Sequence, residues 1–252
     1  MRIVKVPSNY GALDKAEGVE LAPDAIMEEL KDIYLNESYK KDDVEVVEMA
    51  RKELEDGNEV INKYDGKIFL GGDHSISYYS FKQWARNHKN PGLIVFDAHP
   101  DVYEMFDFPS HQDWLRCLIK DGIIKKENIV IIGLRNMDRK EFEYLKDNNI
   151  RFYNINQVYE SKEEVCDSVM EFARKFDGVY VSFDIDVLDP AYAPGTGYIE
   201  PGGMTSRELL YFIHRLRMLK NIDRVDIMEV NPRKDVNNMT AKMAAKIIAE
   251  LM

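Results

Sequence analysis

The clearest pattern in the chain lies at residues 93–101, Leu93-Ile94-Val95-Phe96-Asp97-Ala98-His99-Pro100-Asp101. The apolar run at 93–96 predicts a short buried strand, and three side chains that can bind a metal follow it at alternate positions. In an extended chain, side chains two residues apart point to the same face. Asp97, His99 and Asp101 are therefore expected to project together from the strand end. Such crowded groups repel one another unless a cation lies among them.

Two other stretches repeat this arrangement. A run of β-branched and aromatic residues at 179–183 is followed by Asp184 and, two residues later, Asp186. A short apolar run at 68–70 is followed by two glycines and then by His74. We expect the rest of the chain to bring these three strand ends together.

Predicted strands alternate with predicted helices along almost the whole chain. The patterns predict strands at 3–6, 68–70, 93–96, 129–132, 150–153, 179–183 and 224–228. They predict helices at 25–30, 44–61, 76–87, 112–120, 138–146, 162–176, 206–219 and 239–251. This alternation indicates the α/β class, a three-layer sandwich with a mainly parallel central sheet and helices on both faces. Ligands bind such sheets at the carboxyl ends of the strands, where all three polar stretches lie.

Three connecting features are also predicted. Thr205-Ser206-Arg207-Glu208 fits a capping box that begins a helix. The segment 187–203 is a long loop rich in proline and glycine, and so long a loop in a compact domain is usually functional. Residues 36–42 are polar and are expected to be exposed.

Length and composition limit the class of protein. The 252 residues are 45% hydrophobic, which suits one α/β domain spanning 1–252. The net charge of −11 argues against a nucleic-acid partner. Cys117 and Cys166 form no disulfide or metal motif, and neither a signal peptide nor an apolar stretch of the ~20 residues that span a bilayer is present. A cytoplasmic protein without a membrane partner is expected.

The polar strand ends predict a metal centre. The candidate ligands are His74, Asp97, His99, Asp101, Asp184 and Asp186. One divalent ion does not balance four carboxylates, but two ions do. Oxygen-rich ligation with some nitrogen suits Mn²⁺ better than a closed zinc site. A bridging carboxylate would hold two ions ~3.5–4 Å apart, and a water shared by both would ionise near neutral pH.

These stretches resemble the motifs of the ureohydrolases, the family of arginase, agmatinase and their relatives. Residues 71–75, Gly-Gly-Asp-His-Ser, resemble the first motif, and residues 96–101 resemble the second, with Pro100 where other members differ. Residues 182–190, Ser-Phe-Asp-Ile-Asp-Val-Leu-Asp-Pro, resemble the third. The resemblance covers nearly the whole chain and implies an α/β sandwich with two Mn²⁺ per subunit. By position, it implies that one ion binds His74 and Asp101, that the other binds His99 and Asp186, and that Asp97 and Asp184 bridge them.

The resemblance also implies roles in catalysis and assembly. Glu229 matches the glutamate that binds the guanidinium group of the substrate, and a carboxylate suits a planar cation. His111 falls where relatives carry a histidine that passes a proton to the leaving amine, although Gln112 replaces the usual glycine. Asp101 would orient the attacking hydroxide. The implied reaction yields urea and an amine, and the implied assembly is a homo-oligomer, either a trimer or a hexamer.

The sequence leaves the substrate open. Residues 195–203 resemble agmatinases, whereas residues 133–138 resemble arginases, in which Asp138 would hold the α-amino group of the substrate. Where arginases read the α-carboxylate, this chain carries Glu104 and Asp107. Those acids either receive a substrate ammonium or simply face water. We therefore expect a small cationic guanidino substrate, with agmatine first, arginine second and another guanidino or formimino compound third.

Two more distant alternatives remain. A related deacetylase with a single zinc would not need the second bridging aspartate or Glu229. A non-catalytic homologue would have no reason to keep six ligands. Metal stoichiometry separates the first alternative from a ureohydrolase, and a urea assay separates the second.

Overall fold

A single sheet of eight parallel strands forms the centre of the molecule. The structure is a computed structural model, and it describes residues 1–13, 17–35, 44–54 and 58–251. The strand order is β2-β1-β3-β8-β7-β4-β5-β6, and every pairing is parallel. The strands are β1 (Arg2–Lys5), β2 (Glu45–Glu48), β3 (Ile68–Leu70), β4 (Pro91–Phe96), β5 (Ile129–Leu134), β6 (Arg151–Asn154), β7 (Gly178–Asp184) and β8 (Ile222–Met228).

Eight helices in the described residues cover the two faces of the sheet. They are α1 (Ala22–Asp32), α2 (Ile76–Ala85), α3 (Trp114–Lys120), α4 (Arg139–Asp147), α5 (Ile155–Glu160), α6 (Lys162–Ala173), α7 (Ser206–Leu216) and α8 (Met239–Leu251). One buried cluster joins the sheet to α1, α5, α6, α7 and α8, and a second joins it to α2, α3 and α4. Neighbouring strand residues alternate between the two clusters, as Ile94 and Val95 do, because strand side chains have a period of two. The predicted three-layer α/β sandwich is confirmed.

The helix predicted at residues 44–61 is wrong. Residues 45–48 form β2, which pairs with β1, and the described residues after it form 3₁₀ turns at Arg51–Leu54 and Asn58–Lys63. β2 is an edge strand of the sheet, and only Val47 among its residues packs against the core. It therefore lacks the alternation of buried apolar and exposed polar side chains that reveals a half-buried strand. Pairing with β1 satisfies the backbone hydrogen-bonding groups of β2, and this pairing outweighs the helical spacing of the apolar residues in the stretch. The expectation for residues 36–42 lies outside the described residues.

Other boundaries follow local chemistry. The capping box at Thr205 is present, since its Oγ1 accepts a hydrogen bond from Glu208 N at 3.1 Å and Glu208 accepts one from Thr205 N. The helices predicted at 162–176 and 206–219 end earlier, at Ala173 and Leu216. Residues 188–203 contain no helix or strand, only a β-bridge from Leu188 to Met204, and Val187 ends a 3₁₀ turn at Ile185–Val187.

The parallel direction places every strand's carboxyl end at one edge of the sheet. β3, β8, β7 and β4 are consecutive neighbours there. Each of these strands ends in a predicted site residue or is followed by one within four residues. Of the described helices, none is long and apolar enough to cross a membrane.

Candidate metal centre

Three strands carry the predicted ligands at their carboxyl ends, and a fourth, neighbouring strand carries Glu229. His74 follows β3, Asp97 follows β4, Asp184 ends β7, and Glu229 follows β8. The polar side chains converge because parallel strands end at one edge. The six predicted ligands, two imidazoles and four carboxylates, meet within this edge.

His74 lies at the centre of the first group. Its Nδ1 is 3.0 Å from Asp101 Oδ2, 3.2 Å from Asp97 Oδ2 and 3.2 Å from Asp184 Oδ2. Its Nε2 is 2.9 Å from Ser182 Oγ, which itself donates to Asp226 Oδ1 at 2.6 Å. Because the serine has only one proton, it must accept from His74 Nε2–H. In the neutral ring, the lone pair therefore lies on Nδ1 and faces the carboxylates.

His99 lies at the centre of the second group. Its Nδ1 is 3.0 Å from Asp186 Oδ2 and 3.6 Å from Asp97 Oδ1. Asp97 thus belongs to both groups, with one oxygen facing each histidine. Asp186 is anchored at its other oxygen, where Ala98 N–H donates at 3.2 Å.

The donor set fits divalent cations. His74 Nδ1 and Asp97 Oδ2 are completely buried, and neither has an aligned hydrogen-bond partner despite their short separation. Two ligand atoms that bind an ion at right angles, each at about 2.1 Å, lie about 3 Å apart. The distances from His74 Nδ1 to the three carboxylate oxygens, 3.0 to 3.2 Å, match this spacing. Two groups of three, His74 with Asp97 and Asp101, and Asp97 with His99 and Asp186, have the geometry to hold an ion.

Without a cation, several ionised carboxylates buried together at this centre would be energetically unfavourable. Burial, together with the neighbouring Asp186 and Asp97, raises the pKa of Asp184 well above its usual range. Burial opposes a charge on His99, but Asp186 and Asp97 outweigh it and raise the pKa of His99 to about 12. Without cations the centre retains protons. Metal binding at such a centre releases those protons.

Two residues of the centre have a strained backbone. Asp101 and Glu229 have positive φ angles, 50° and 62°, in the left-handed region that residues with a Cβ seldom adopt. Glu229 is held there because its N–H donates to Gly72 O at 2.8 Å and its Oε1 accepts from His74 N at 2.9 Å. Burial and the nearby Asp73 raise the pKa of Glu229 to about 8. Such strain persists only where the surroundings enforce it and is concentrated at functional sites.

His111 presents a free nitrogen to the centre's cavity. Its Nδ1 lies 3.1 Å from the carbonyl oxygen of Gly11, which can only accept, so Nδ1 carries a proton. The Nε2 atom is buried and has no hydrogen-bond partner among the described residues. Asp113 secures the preceding loop by accepting from Ser110 N at 2.6 Å and from Phe106 N at 2.8 Å.

A cavity of about 320 Å³ opens onto the centre. It is lined by His99, Asp101, Tyr103, His111, Gln112, Asn136, Asp138, Glu141, Asp184, Asp186, Tyr198 and Glu229. No lysine or arginine is among these lining residues, whereas six of them are carboxylates. Asp138, Glu141 and Glu229 are not among the predicted ligands, so the cavity also has acidic groups that the candidate metal centre does not use.

The predicted substrate-binding residues separate into two sets. Asp138 lines the cavity, although one of its oxygens caps α4 by accepting from Glu141 N at 2.8 Å. Glu104 is not among the lining residues; it is exposed and pairs with Lys140 Nζ at 2.8 Å. Asp107 is also exposed and does not line the cavity. These positions give no support to the acidic wall expected from Glu104 and Asp107.

Five lining residues, among them Tyr103, were not identified as candidate site residues from the sequence. Glu141 is the N3 residue of the α4 capping box, and this spacing from Asp138 could have revealed it. Tyr198 comes from the long loop, and Gln112 Nε2 donates to its hydroxyl at 3.1 Å. Asn136 Nδ2 lies 3.2 Å from His99 Nε2 and donates to Glu200 Oε1 at 2.9 Å. The last three depend on loop paths that carry no periodic signal.

Known proteins are similar to this chain in both fold and sequence. Residues 1–252 match the Arginase family. An arginase of Staphylococcus aureus (strain MRSA252) is 32% identical, with 98% of this chain and 94% of the relative covered. An agmatinase of Bacillus subtilis (strain 168) is 35% identical over 77% of this chain and 65% of its own length. The crystal structure of formimidoylglutamase from Bacillus subtilis has a TM-score of 0.90 and 25% identity, covering 99% of this chain and 85% of that one.

The chain therefore belongs to the arginase family, the ureohydrolases, as its motifs indicated. It is a hydrolase of guanidino carbon–nitrogen bonds.

Proposed function

We propose that the protein is a binuclear manganese ureohydrolase that converts agmatine to putrescine and urea. The observation that carries this proposal is the cavity, which joins the candidate metal centre to Asp138 and Glu141 and whose described lining residues include no lysine or arginine. Acidic groups stabilise a substrate ammonium and disfavour a carboxylate. Agmatine carries a guanidinium at one end, an ammonium at the other and no carboxylate.

The proposed ligands divide between two ions. His74 and Asp101 would hold one Mn²⁺, His99 and Asp186 would hold the other, and Asp97 and Asp184 would serve both. The position of Asp97 between the two histidines supports its bridging role. The contact of Asp184 with His74 supports its place at the first ion. Four carboxylates and two imidazoles suit Mn²⁺ in both charge and ligand type.

The chemistry that two bound Mn²⁺ ions would supply is a water molecule acidic enough to act as a nucleophile near neutral pH. The chain's own groups then position and protonate the substrate. Glu229 faces the cavity and binds the guanidinium, whose charge favours the ionised carboxylate that burial alone disfavours. Asp101 orients the nucleophile. Protonated His111 donates from Nε2 to the departing amine.

Arginine is the second candidate. The Staphylococcus aureus relative is an arginase, and Asp138 and Glu141 would also suit the α-amino group of arginine. The cavity offers neutral hydrogen-bond donors, namely Tyr103, Gln112, Asn136 and Tyr198, to an α-carboxylate. Another guanidino or formimino compound is the third candidate, and the acidic lining opposes any such compound that carries carboxylates.

Urea release tests these candidates directly. Protein loaded with Mn²⁺ is assayed in parallel with agmatine, arginine and 4-guanidinobutyrate. We expect agmatine to have the highest kcat/KM and 4-guanidinobutyrate the lowest, since the latter places a carboxylate beside Asp138 and Glu141. A preference for arginine would refute agmatine as the substrate while supporting the reaction. Urea from none of the three would refute the proposed reaction.

The family resemblance also supports a homo-oligomeric, cytoplasmic enzyme. We propose a trimer or hexamer, which sedimentation equilibrium would distinguish from a monomer of 29.3 kDa. Cell fractionation would test the location. A monomer, or recovery outside the cytoplasmic fraction, would contradict these assignments.

A further inference from the structure

The indole ring of Trp114 lies against the candidate metal centre. Its side chain is completely buried, and its ring centroid is 4.7 Å from that of His74. Its Nε1–H donates to Asp101 Oδ2 at 2.7 Å. The same oxygen is 3.0 Å from His74 Nδ1, so it is the one that faces the proposed ion.

An indole is suited to hold a carboxylate that binds a metal. It donates one hydrogen bond, accepts none and stays protonated at all relevant pH values, so it does not compete for the cation. A carboxylate is rigid and planar, so fixing Oδ2 also fixes the direction of Oδ1. This constraint matters at Asp101 because its backbone is in the left-handed region and its side chain lines the cavity.

We infer that Trp114 is a positioning residue, whose indole N–H sets the orientation of Asp101 and thereby the affinity of one of the two ions. The inference rests on the proposed metal centre but not on the identity of the substrate. Partners of metal ligands typically contribute about 10- to 100-fold to metal affinity or activity. The effect belongs to the ion bound by His74 and Asp101, because Trp114 contacts both of these residues.

The second tryptophan of the chain provides a matched control. Trp84 is also nearly completely buried, and its Nε1–H also donates to a carboxylate, Asp223 Oδ1, at 2.9 Å. Asp223 lies on β8 near its amino end, at the opposite edge of the sheet from the candidate centre. Replacing either tryptophan by phenylalanine keeps an aromatic ring and removes one indole–carboxylate hydrogen bond.

The test is Mn²⁺ binding to metal-free protein, followed through the electron paramagnetic resonance signal of free Mn²⁺. In Trp114→Phe we expect one of the two ions to bind about 10- to 100-fold more weakly and the other to bind as in the wild type. In Trp84→Phe we expect both affinities to remain unchanged. If Trp114→Phe binds both ions normally, the inference is wrong. If the wild type binds no Mn²⁺, the proposed metal centre is wrong as well.

A second measurement needs no substitution at position 114. In ¹⁵N-labelled Trp84→Phe protein, the remaining tryptophan indole signal belongs to Trp114. We expect its proton to be shifted downfield and protected from exchange, and to move when Zn²⁺, which is diamagnetic, is added to the metal-free protein. A signal that exchanges freely, or that Zn²⁺ leaves unmoved, would overturn the inference.

Discussion

At the scale of single residues, the position of Asp97 has the greatest consequence. Its two oxygens face two different histidines, at 3.2 Å from His74 Nδ1 and 3.6 Å from His99 Nδ1. One carboxylate therefore serves both halves of the proposed centre. Its Oδ1 also accepts from His99 N at 2.7 Å, which keeps the side chain in this orientation.

Removal of either proposed bridge should disable the centre. We expect Asp97→Ala or Asp184→Ala to lose at least one bound Mn²⁺ per chain and to reduce urea release to background, because each ion then lacks a shared ligand. Atomic absorption and the urea assay measure the two effects. Asp107→Ala, an exposed acid outside the cavity, is the matched control and should behave as the wild type. Normal metal content with normal turnover in Asp97→Ala would refute the bridge.

His111 should affect turnover without affecting metal binding. Its free Nε2 faces the cavity, and loss of a general acid costs roughly 10²-fold or more in kcat. We expect His111→Ala to show this loss with both ions retained. His88→Ala serves as the control, since His88 instead contacts Asp223, at 3.1 Å. Near-normal turnover in His111→Ala would exclude the proton-transfer role.

At the scale of elements, the start of α4 contributes two of the six carboxylates that line the cavity. Asp138 and Glu141 are the N-cap and N3 residues of a reciprocal capping box. The same two side chains therefore stabilise the helix end and line the cavity. The spacing that a helix cap requires thus also places two acids side by side.

We expect Glu141→Gln to raise the KM for agmatine about 10- to 100-fold, the cost of losing one hydrogen bond between charged groups, with little change in kcat. Glutamine retains the capping box, so helix stability should be preserved. Glu104→Gln is the matched control, because Glu104 pairs with Lys140 outside the cavity. An equal rise in KM for both variants would contradict the assignment.

The proposed contact between Glu141 and agmatine also predicts how KM depends on pH. Burial raises the pKa of Glu141 to about 7, so its negative charge is present above that pH and is lost below it. The KM of the wild type for agmatine should therefore rise as the pH falls from 8 to 6, and Glu141→Gln should remove this part of the dependence. Steady-state kinetics across this range measure it. Identical pH profiles for the two proteins would count against a charged Glu141 in binding.

At the scale of the whole molecule, the centre joins the carboxyl ends of β3, β4 and β7, and its four carboxylates are buried side by side. Each ion that binds only the folded chain stabilises it by about 2.7 kcal/mol at a concentration 100 times its Kd. In a chain of this size, that corresponds to about 5–10 °C in Tm for each ion.

We therefore expect dialysis against EDTA to lower Tm by about 5–10 °C for each ion removed, and added Mn²⁺ to restore it. Differential scanning calorimetry measures the shift. Asp97→Ala provides the control, since its Tm should respond much less to Mn²⁺. A wild-type Tm that does not respond to chelation or to Mn²⁺ would contradict a metal centre that ties these strands together.

The sequence by itself determined the α/β class, most of the strands and the six converging polar residues. These features follow from local patterns, namely apolar runs that end in polar side chains at alternate positions, and the strand direction then brings them together. The helix expected at 44–61 was wrong because an edge strand with one packed valine has little periodic signal.

Only the tertiary structure decided which acids line the cavity and what holds the metal ligands. Glu104 and Glu141 are both glutamates, so residue type does not tell which of them lines the cavity. Glu104 lies outside the cavity against Lys140, whereas Glu141 lines it. The bond from Trp114 to Asp101 and the left-handed backbone of Glu229 are likewise absent from any sequence pattern. The physical reason is that these contacts depend on the paths of loops between distant elements, and no local propensity encodes a loop path.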